Sequence, residues 1–459
     1  MMAELNAMVQ KLSDTVKVTS KIDIELFKQF NVKRGLRNED HTGVLVGLTK
    51  IGDVVGYERN AEGKLDAIPG RLVYRGIDVV ELCKGIESEG RLGNGFEETI
   101  YLLLSGNQPT VAELKEFTSY IGAQRALPKA FTEDVILSLK GKELMNMLAR
   151  CVMSLYVFDK DADNTSRENL MLQSLNLIAK FPTIIAYSYI SMMHSYYEKT
   201  LYIRHPKPEL SIAENFLYML KGTNRYTKLD AEILDLALIL HAEHGGGNNS
   251  TFTVRVTSSS GTDTYSAITA AIGSLKGPLH GGANHMVIKQ MGELKDNIVD
   301  WESDEEIRQY LLKIFRKESS TKSGTFYGLG HAIYTISDPR AELLREKARE
   351  LALEKGRTKE FQLYERIDRI APDVFAEFKG EKVNKIVCIN VDFYSGLVYD
   401  MIGLPQEIYT PLFAMARIAG WCAHRLEELN FDAKRIIRPA YKNVYAERHF
   451  EPIETRIAE

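Results

Sequence analysis

The chain has 459 residues, too many for one ordinary hydrophobic core, so two domains are expected. Hydrophobic residues at 44% and charged residues at 26% fit a soluble globular protein and exclude a disordered or fibrous one. The formal net charge of -4 leaves no basic excess of the kind a nucleic-acid binder shows.

The N-terminal stretch MMAELNAMVQKLSDTVKV lacks a continuous apolar region and carries an early acid, which argues against a secretory or transit leader. Cys83, Cys151, Cys388 and Cys422 are far apart with no CxxC pair, so neither zinc nor a disulfide framework is indicated. Buried reduced thiols and a cytoplasmic location are expected. Residues 45–76 hold the chain's strand-like patterning, and Asn-Ala-Glu-Gly and Pro-Gly there suggest small hairpins. The apolar stretch Met171–Met193 is interrupted by Lys180 and Pro182, so a buried helix pair broken near Pro182 is predicted rather than a membrane span.

Helical periodicity dominates the rest. A helix is predicted from about Leu229 into His241-Ala-Glu-His244, with both histidines on its last turn before Gly245. Thr264–Leu275 is helical and ends at Gly277-Pro278. Ser303-Asp-Glu-Glu306 reads as a capping box followed by Ile307, Tyr310, Leu311, Ile314 and Phe315 at helical spacing. Asp338-Pro339-Arg340 reads as N-cap, N1 and N2 of a helix that stops at Gly356. Another long helix follows Pro405, from about Glu407 to Leu429. Strand and helix do not alternate, so a doubly wound sheet is disfavoured and an all-α fold is expected.

Four segments concentrate glycine with histidine, acid or arginine. In His241-Ala-Glu-His244-Gly-Gly-Gly-Asn248 the plain reading is a helix end with a glycine stop, and a metal pair is a weak alternative. In Gly277-Pro-Leu-His280-Gly-Gly-Ala-Asn284 a histidine lies at the mouth of the next helix. The positive dipole end there would keep the imidazole neutral, fit to donate to a carbonyl gaining charge. A simple helix–helix turn is the alternative. In Gly328-Leu-Gly330-His331 through Asp338-Pro-Arg340, a glycine loop presents a histidine and an arginine in a first helical turn, a good anion-binding composite. In Asn390-Val-Asp392-Phe-Tyr-Ser-Gly, an acid in an apolar context suits a general base for a weak carbon acid. The alternative there is an N-cap for a helix beginning near Ser395.

Taken together, these blocks resemble the citrate synthase family. GLGHAIYTISDPR, PLHGGAN, NVDFYSG, HGGGNNST and AMARIAGW occur in the family's order, and LVYRGIDVVEL and EETIYLLLSGNQPT resemble its N-terminal region, so the likeness spans Ile51 to Pro439. The resemblance implies an all-α two-domain fold and a two-fold dimer. Residues 1–286 and 399–459 would form the large, dimer-forming domain, and 287–398 a small domain closing over the active-site cleft. It implies an acyltransferase of the tricarboxylic acid cycle that condenses acetyl-CoA with oxaloacetate and hydrolyses the product thioester, using no metal or cofactor. By likeness the catalytic triad falls on His280, His331 and Asp392. His244, Asn248, Arg340, Arg417 and Arg438 would hold oxaloacetate or citrate, with Arg438 reaching the neighbouring subunit's site. Phe413, Gly328 and Gly330 would lie on the CoA side. No nucleic acid or membrane partner is implied.

The chain departs from the pattern in places. Tyr334-Thr335 stands where several members carry a basic residue that helps bind CoA, and His285 stands where many bacterial members have Glu. The same triad would serve 2-methylcitrate synthase with propionyl-CoA, or a citryl-CoA lyase-like activity. A catalytically silent helical dimer on the same fold is the reading from a different class.

Overall fold

A computed structural model describes residues 2–38, 40, 42–380 and 386–456. The chain packs into two units. The first comprises Met1–Gly95, Glu243–Asn248 and Ala283–Leu404, the second Phe96–Ala242, Asn249–Gly282 and Pro405–Glu459.

The second unit is built on the Arg167–Tyr197 helix, which packs against the Leu144–Leu155, Ile212–Lys221 and Tyr409–Leu429 helices. By length and composition this helix could cross a membrane, but 72% of its most apolar window is buried inside the protein, as in a core helix. The predicted break at Pro182 is absent, because the helix continues through it. Proline forfeits one backbone hydrogen bond there, while its neighbours from Leu177 to Ala179 and from Phe181 to Ser188 are buried, and packing outweighs the loss. Ser166, Ser211 and Thr227 cap their helices, the last two with complete capping boxes. Thr264–Lys276 and Tyr409–Leu429 fall close to their predicted spans.

The first unit carries the sheet. β1 (Gly52–Arg59), β2 (Leu65–Tyr74) and β3 (Ile77–Asp78) are antiparallel in the order β1-β2-β3. The Asn60–Lys64 turn makes the first hairpin, with Gly63 at φ 78°. The expected turn at Pro69-Gly70 does not form. That pair stays within β2, whose Gly70 N–H donates to Ser337 O at 3.2 Å, and the chain reverses at Arg75-Gly76 instead. Ser303 caps the Asp304–Phe315 helix, but only half of the predicted capping box is made. The Glu306 carboxylate accepts from Val299 N and Asp300 N instead, at 2.9 and 3.1 Å. The Pro339–Glu354 helix begins with Asp338 as N-cap and Pro339 at N1, and Gly356 follows it at φ 67°. Lys347 on this helix pairs with Glu87 of the Val79–Ser88 helix at 2.5 Å, one reason Met1–Gly95 belongs to this unit. All four cysteines are buried.

A buried ionic knot ties loops of the second unit to its helices. Arg125, 2% exposed, donates through Nη1 to Lys207 O and Leu210 O at 2.7 and 2.6 Å. It lies 3.9 Å from the buried Glu97, which accepts from Ile212 N at 2.7 Å. Removing the cation strands the acid and two carbonyls. We expect Arg125→Ala to cost about 3–5 kcal/mol of unfolding free energy. Urea unfolding followed by circular dichroism measures it, and a midpoint equal to wild type would refute the account.

Candidate active site

In the first unit, two glycines shape the loop before the Pro339 helix. Gly328 and Gly330 both have φ near 90°, at 86° and 88°, and a Cβ on Gly328 would meet the Phe393 Cβ at 2.9 Å. Their backbone pairs with 388–390: Gly330 N donates to Cys388 O and Asn390 N to Gly328 O, each at 2.8 Å. Asn390 Nδ2 adds a bond to Gly330 O at 2.8 Å. The loop thus delivers His331 in fixed register with the Val391–Ile402 helix, whose first turn holds Asp392.

His331 Nδ1 accepts from Ile333 N and Tyr334 N, both at 3.1 Å, so the neutral ring carries its proton on Nε2. Burial first, then the Arg340 charge, holds its pKa down to about 4. Its ring lies 5.1 Å from that of His244, edge to face. His244 is not on the last helical turn as predicted. The helix ends at His241, and His244 follows in a turn where Gly245 takes φ 79°. Glu243 anchors that turn, its carboxylate accepting from Gly245 N at 2.5 Å and its carbonyl from Tyr74 Oη at 3.1 Å. Asn248 closes the turn through its N–H to Gly245 O at 3.2 Å.

Arg340 is buried and gripped by Asp338, Nε to Oδ1 at 3.0 Å and Nη2 to Oδ2 at 2.8 Å. Burial opposes charge on both partners, yet their attraction wins, lowering the Asp338 pKa and raising that of Arg340. Asp392 adds to the field that keeps Arg340 protonated. The helix expected near Ser395 starts at Val391, and its cap is Asn390, accepting from Asp392 N at 3.0 Å. Asp392 is therefore not spent as the cap.

In the second unit, His280 stands in the Gly277–Gly282 turn, its N–H donating to Gly277 O at 2.9 Å. Gly281 is required next to it, since a Cβ there would meet Leu275 O at 2.3 Å. His280 Nε2 lies 3.1 Å from Ser250 Oγ, which accepts from Trp421 Nε1 at 3.2 Å. The Ser250 hydroxyl thus joins the His280 and Trp421 rings in one buried hydrogen-bond chain. The His280 pKa is also held down to about 4, as predicted in direction but with a different cause. Burial comes first and the Arg417 charge second, while the next helix begins only at Ala283. Arg417, fully buried, donates through Nε to His241 O at 2.6 Å and lies 4.8 Å over the Phe413 ring. Phe413 stacks on His241 at 4.2 Å. Arg438 is exposed, in a segment without regular structure where Ile437 N donates to Ser259 Oγ at 3.0 Å.

Within the first unit the structure therefore groups His244, His331 and Arg340, with Asp392 acting on Arg340. Within the second it groups His280, Arg417 and Phe413, and it leaves Arg438 apart. Reading the sequence missed Ser250, Trp421, Tyr334 and the grip of Asp338 on Arg340. Only the last had a signal, the two-residue spacing in Asp-Pro-Arg.

Buried guanidiniums beside neutral imidazoles are groups that can pair with an organic anion and donate hydrogen bonds to an oxygen gaining charge, as in an enzyme active site. The profile of the family described as citrate synthase, C-terminal domain, matches residues 40–440. The citrate synthase of Deinococcus radiodurans is 36% identical over 400 residues, covering 86% of this chain and 96% of that one. That of Haloferax volcanii is 34% identical over 432 residues, covering 93% and 99%. Among solved structures, Thermoplasma acidophilum citrate synthase in ternary complex with carboxymethyl coenzyme A and oxaloacetate aligns with TM-score 0.73 at 27% identity, covering 93% of this chain and 99% of that one. The chain belongs to the citrate synthase family.

Both depressed imidazoles tie stability to pH. Below the ordinary histidine pKa of 6.5 the unfolded chain takes up protons that the folded one refuses until about 4. Their contribution is whole above pH 6.5 and is lost as pH falls toward 4. We expect the urea midpoint to fall across that window, and His331→Gln and His280→Gln each to flatten the slope. Unchanged slopes in both variants would count against neutral histidines.

Proposed function

We propose that the chain condenses oxaloacetate with acetyl-CoA and hydrolyses the resulting thioester to citrate and CoA. The observation that carries this is His331, neutral with its proton on Nε2, beside a buried Arg340 that is locked to Asp338. Membership of the citrate synthase family supplies the reaction class.

In this reading Asp392 removes a proton from the acetyl methyl group, while His280 donates a hydrogen bond to the thioester oxygen. The C–H electron pair becomes the C=C bond as the carbonyl π pair moves onto oxygen, where His280 shares or passes its proton to give the enol, and neither residue alone would reach so weak an acid. The enol carbon attacks the oxaloacetate ketone. His331 Nε2–H bonds to the ketone oxygen and passes its proton to the new alkoxide. Water then cleaves the C–S bond, and CoA leaves as the thiol. Arg340 and Arg417 pair with substrate carboxylates, helped by His244 and Asn248, and Phe413, Gly328 and Gly330 face the CoA side. Every step is a proton transfer, a carbon–carbon bond or a hydrolysis, so the reading includes no metal or redox cofactor.

The same reading takes the working form as a cytoplasmic homodimer in which Arg438 completes the neighbouring subunit's site. Its domain assignment keeps 1–286 and 399–459 as the large domain and 287–398 as the closing one. Closure keeps water from the enol until condensation is complete.

Free-thiol release on mixing protein, oxaloacetate and acetyl-CoA tests the reaction, with propionyl-CoA alongside. Release that requires oxaloacetate and is faster with acetyl-CoA is expected. Faster release with propionyl-CoA would move the assignment to 2-methylcitrate synthase, a difference of one methylene worth about 1–3 kcal/mol. Asp392→Ala should lower turnover by about 10²–10⁴ with oxaloacetate binding retained, and near-normal turnover would remove Asp392 as the base. Arg438→Ala should raise the Michaelis constant for oxaloacetate, and an unchanged constant would exclude its contact with substrate.

A further inference from the structure

Tyr334 is the residue against which the first unit's candidate groups are set. Its ring is fully buried and stacks on that of His331, with centroids 4.6 Å apart and planes at 22°. The edge of His244 meets it at 5.7 Å and 89°. The Arg340 guanidinium carbon lies 5.6 Å from its centroid. The ring is fixed from behind by β2: a Cβ on Gly70 would meet its Cδ1 at 2.5 Å, and its hydroxyl reaches toward Arg71 O at 3.5 Å. Its own N–H donates to His331 Nδ1 at 3.1 Å, so the same residue sets both the tautomer and the tilt of the imidazole.

We propose that Tyr334 is a positioning residue for the oxaloacetate half of the reaction, its flat ring holding His331, His244 and Arg340 in one arrangement. The proposal rests on the function given above, and it concerns a residue that touches the substrate-facing groups rather than the substrate. A stacked aromatic wall does two things that an aliphatic one of similar volume does not. It fixes the plane of the imidazole, and its π face attracts the guanidinium. It also keeps water from His331, whose other charged or titratable neighbours are Arg340 and Asp338 from the Pro339 helix, Arg37 from the N-terminal region and His244. Losing the ring should therefore let water reach the imidazole and raise its pKa toward the ordinary value.

The test compares Tyr334→Phe, which keeps the ring, with Tyr334→Leu, which removes it. In Tyr334→Leu the Michaelis constant for oxaloacetate should rise by about tenfold, roughly the combined worth of an aromatic pair and a cation–π interaction. The constant for acyl-CoA should change by less than about twofold, and the acid limb of turnover should move up by about one pH unit. Tyr334→Phe should restore all three toward wild type. A second readout uses no turnover: isotope-labelled histidine in the unliganded protein should show the His331 resonance titrating at higher pH in Tyr334→Leu than in Tyr334→Phe. Should the leucine variant fail to fold, Tyr334→Met carries the same comparison with a side chain of similar volume that adapts its shape to the gap. Equal oxaloacetate constants and equal His331 titration in the ring-less and ring-bearing variants would overturn the proposal. Absence of thiol release from the wild-type protein would instead overturn the functional reading, leaving the titration result to stand alone.

Discussion

The carboxylate of Asp338 is the constraint on which the first unit's site depends. It accepts from Arg340 N at 3.0 Å, from Arg340 Nε and Nη2, and from Val391 N at 3.1 Å. Four donors converge on one buried acid, and they belong to the first turns of two helices, Pro339–Glu354 and Val391–Ile402. A buried charge is costly unless paired and fully hydrogen-bonded, and here it is both. The cap that starts one helix is thus also the clamp that aligns the other. Arg340 and Asp392 are therefore presented from a single electrostatic junction rather than from two independent loops.

The same physics recurs in the second unit with different residues. His280 is neutral because it is buried with the Arg417 charge acting on it, as His331 is because it is buried beside Arg340. Each imidazole also has a fixed hydrogen-bonding neighbour: backbone N–H groups settle the tautomer of His331, and the Ser250 hydroxyl meets Nε2 of His280. For His331 the outcome is a proton held on Nε2.

Much of this was legible in the residues. Asp338-Pro339-Arg340 announced a helix start because its cap, its proline and its stop at Gly356 are local signals, and the structure follows them. The all-helical character followed from periodicity in the same way. What sequence reading got wrong was decided by packing at a distance. Pro182 stays inside a helix because buried neighbours on both sides of it outweigh one lost hydrogen bond. Pro69-Gly70 stays in a strand because Ser337, far along the chain, takes the glycine N–H. His244 leaves its helix because Glu243 is drawn to Tyr74 and Gly245. The ring contacts of Ser250 and Tyr334 were invisible for the same reason, since a serine or tyrosine carries no local mark of the ring it will touch.

The arrangement around His331 has a consequence for the order of events. In the free protein Arg340 helps to keep the imidazole from taking a proton, while Asp338 and Asp392 keep Arg340 charged. A dicarboxylate paired with Arg340 would add negative charge beside the same ring, offsetting the guanidinium that disfavours the imidazolium. The His331 pKa would then rise from its low resting value toward the range where a ring can both give a proton to an alkoxide and regain it. Burial alone gives no such dependence, because it does not change when an anion arrives. Under the proposed reaction the cation would make the difference: it would pair with the substrate and, once neutralised by it, would cease to oppose a proton on the histidine. A site built from histidine and burial without arginine would hold its imidazole just as neutral, but it would have nothing to tell it that the substrate was present.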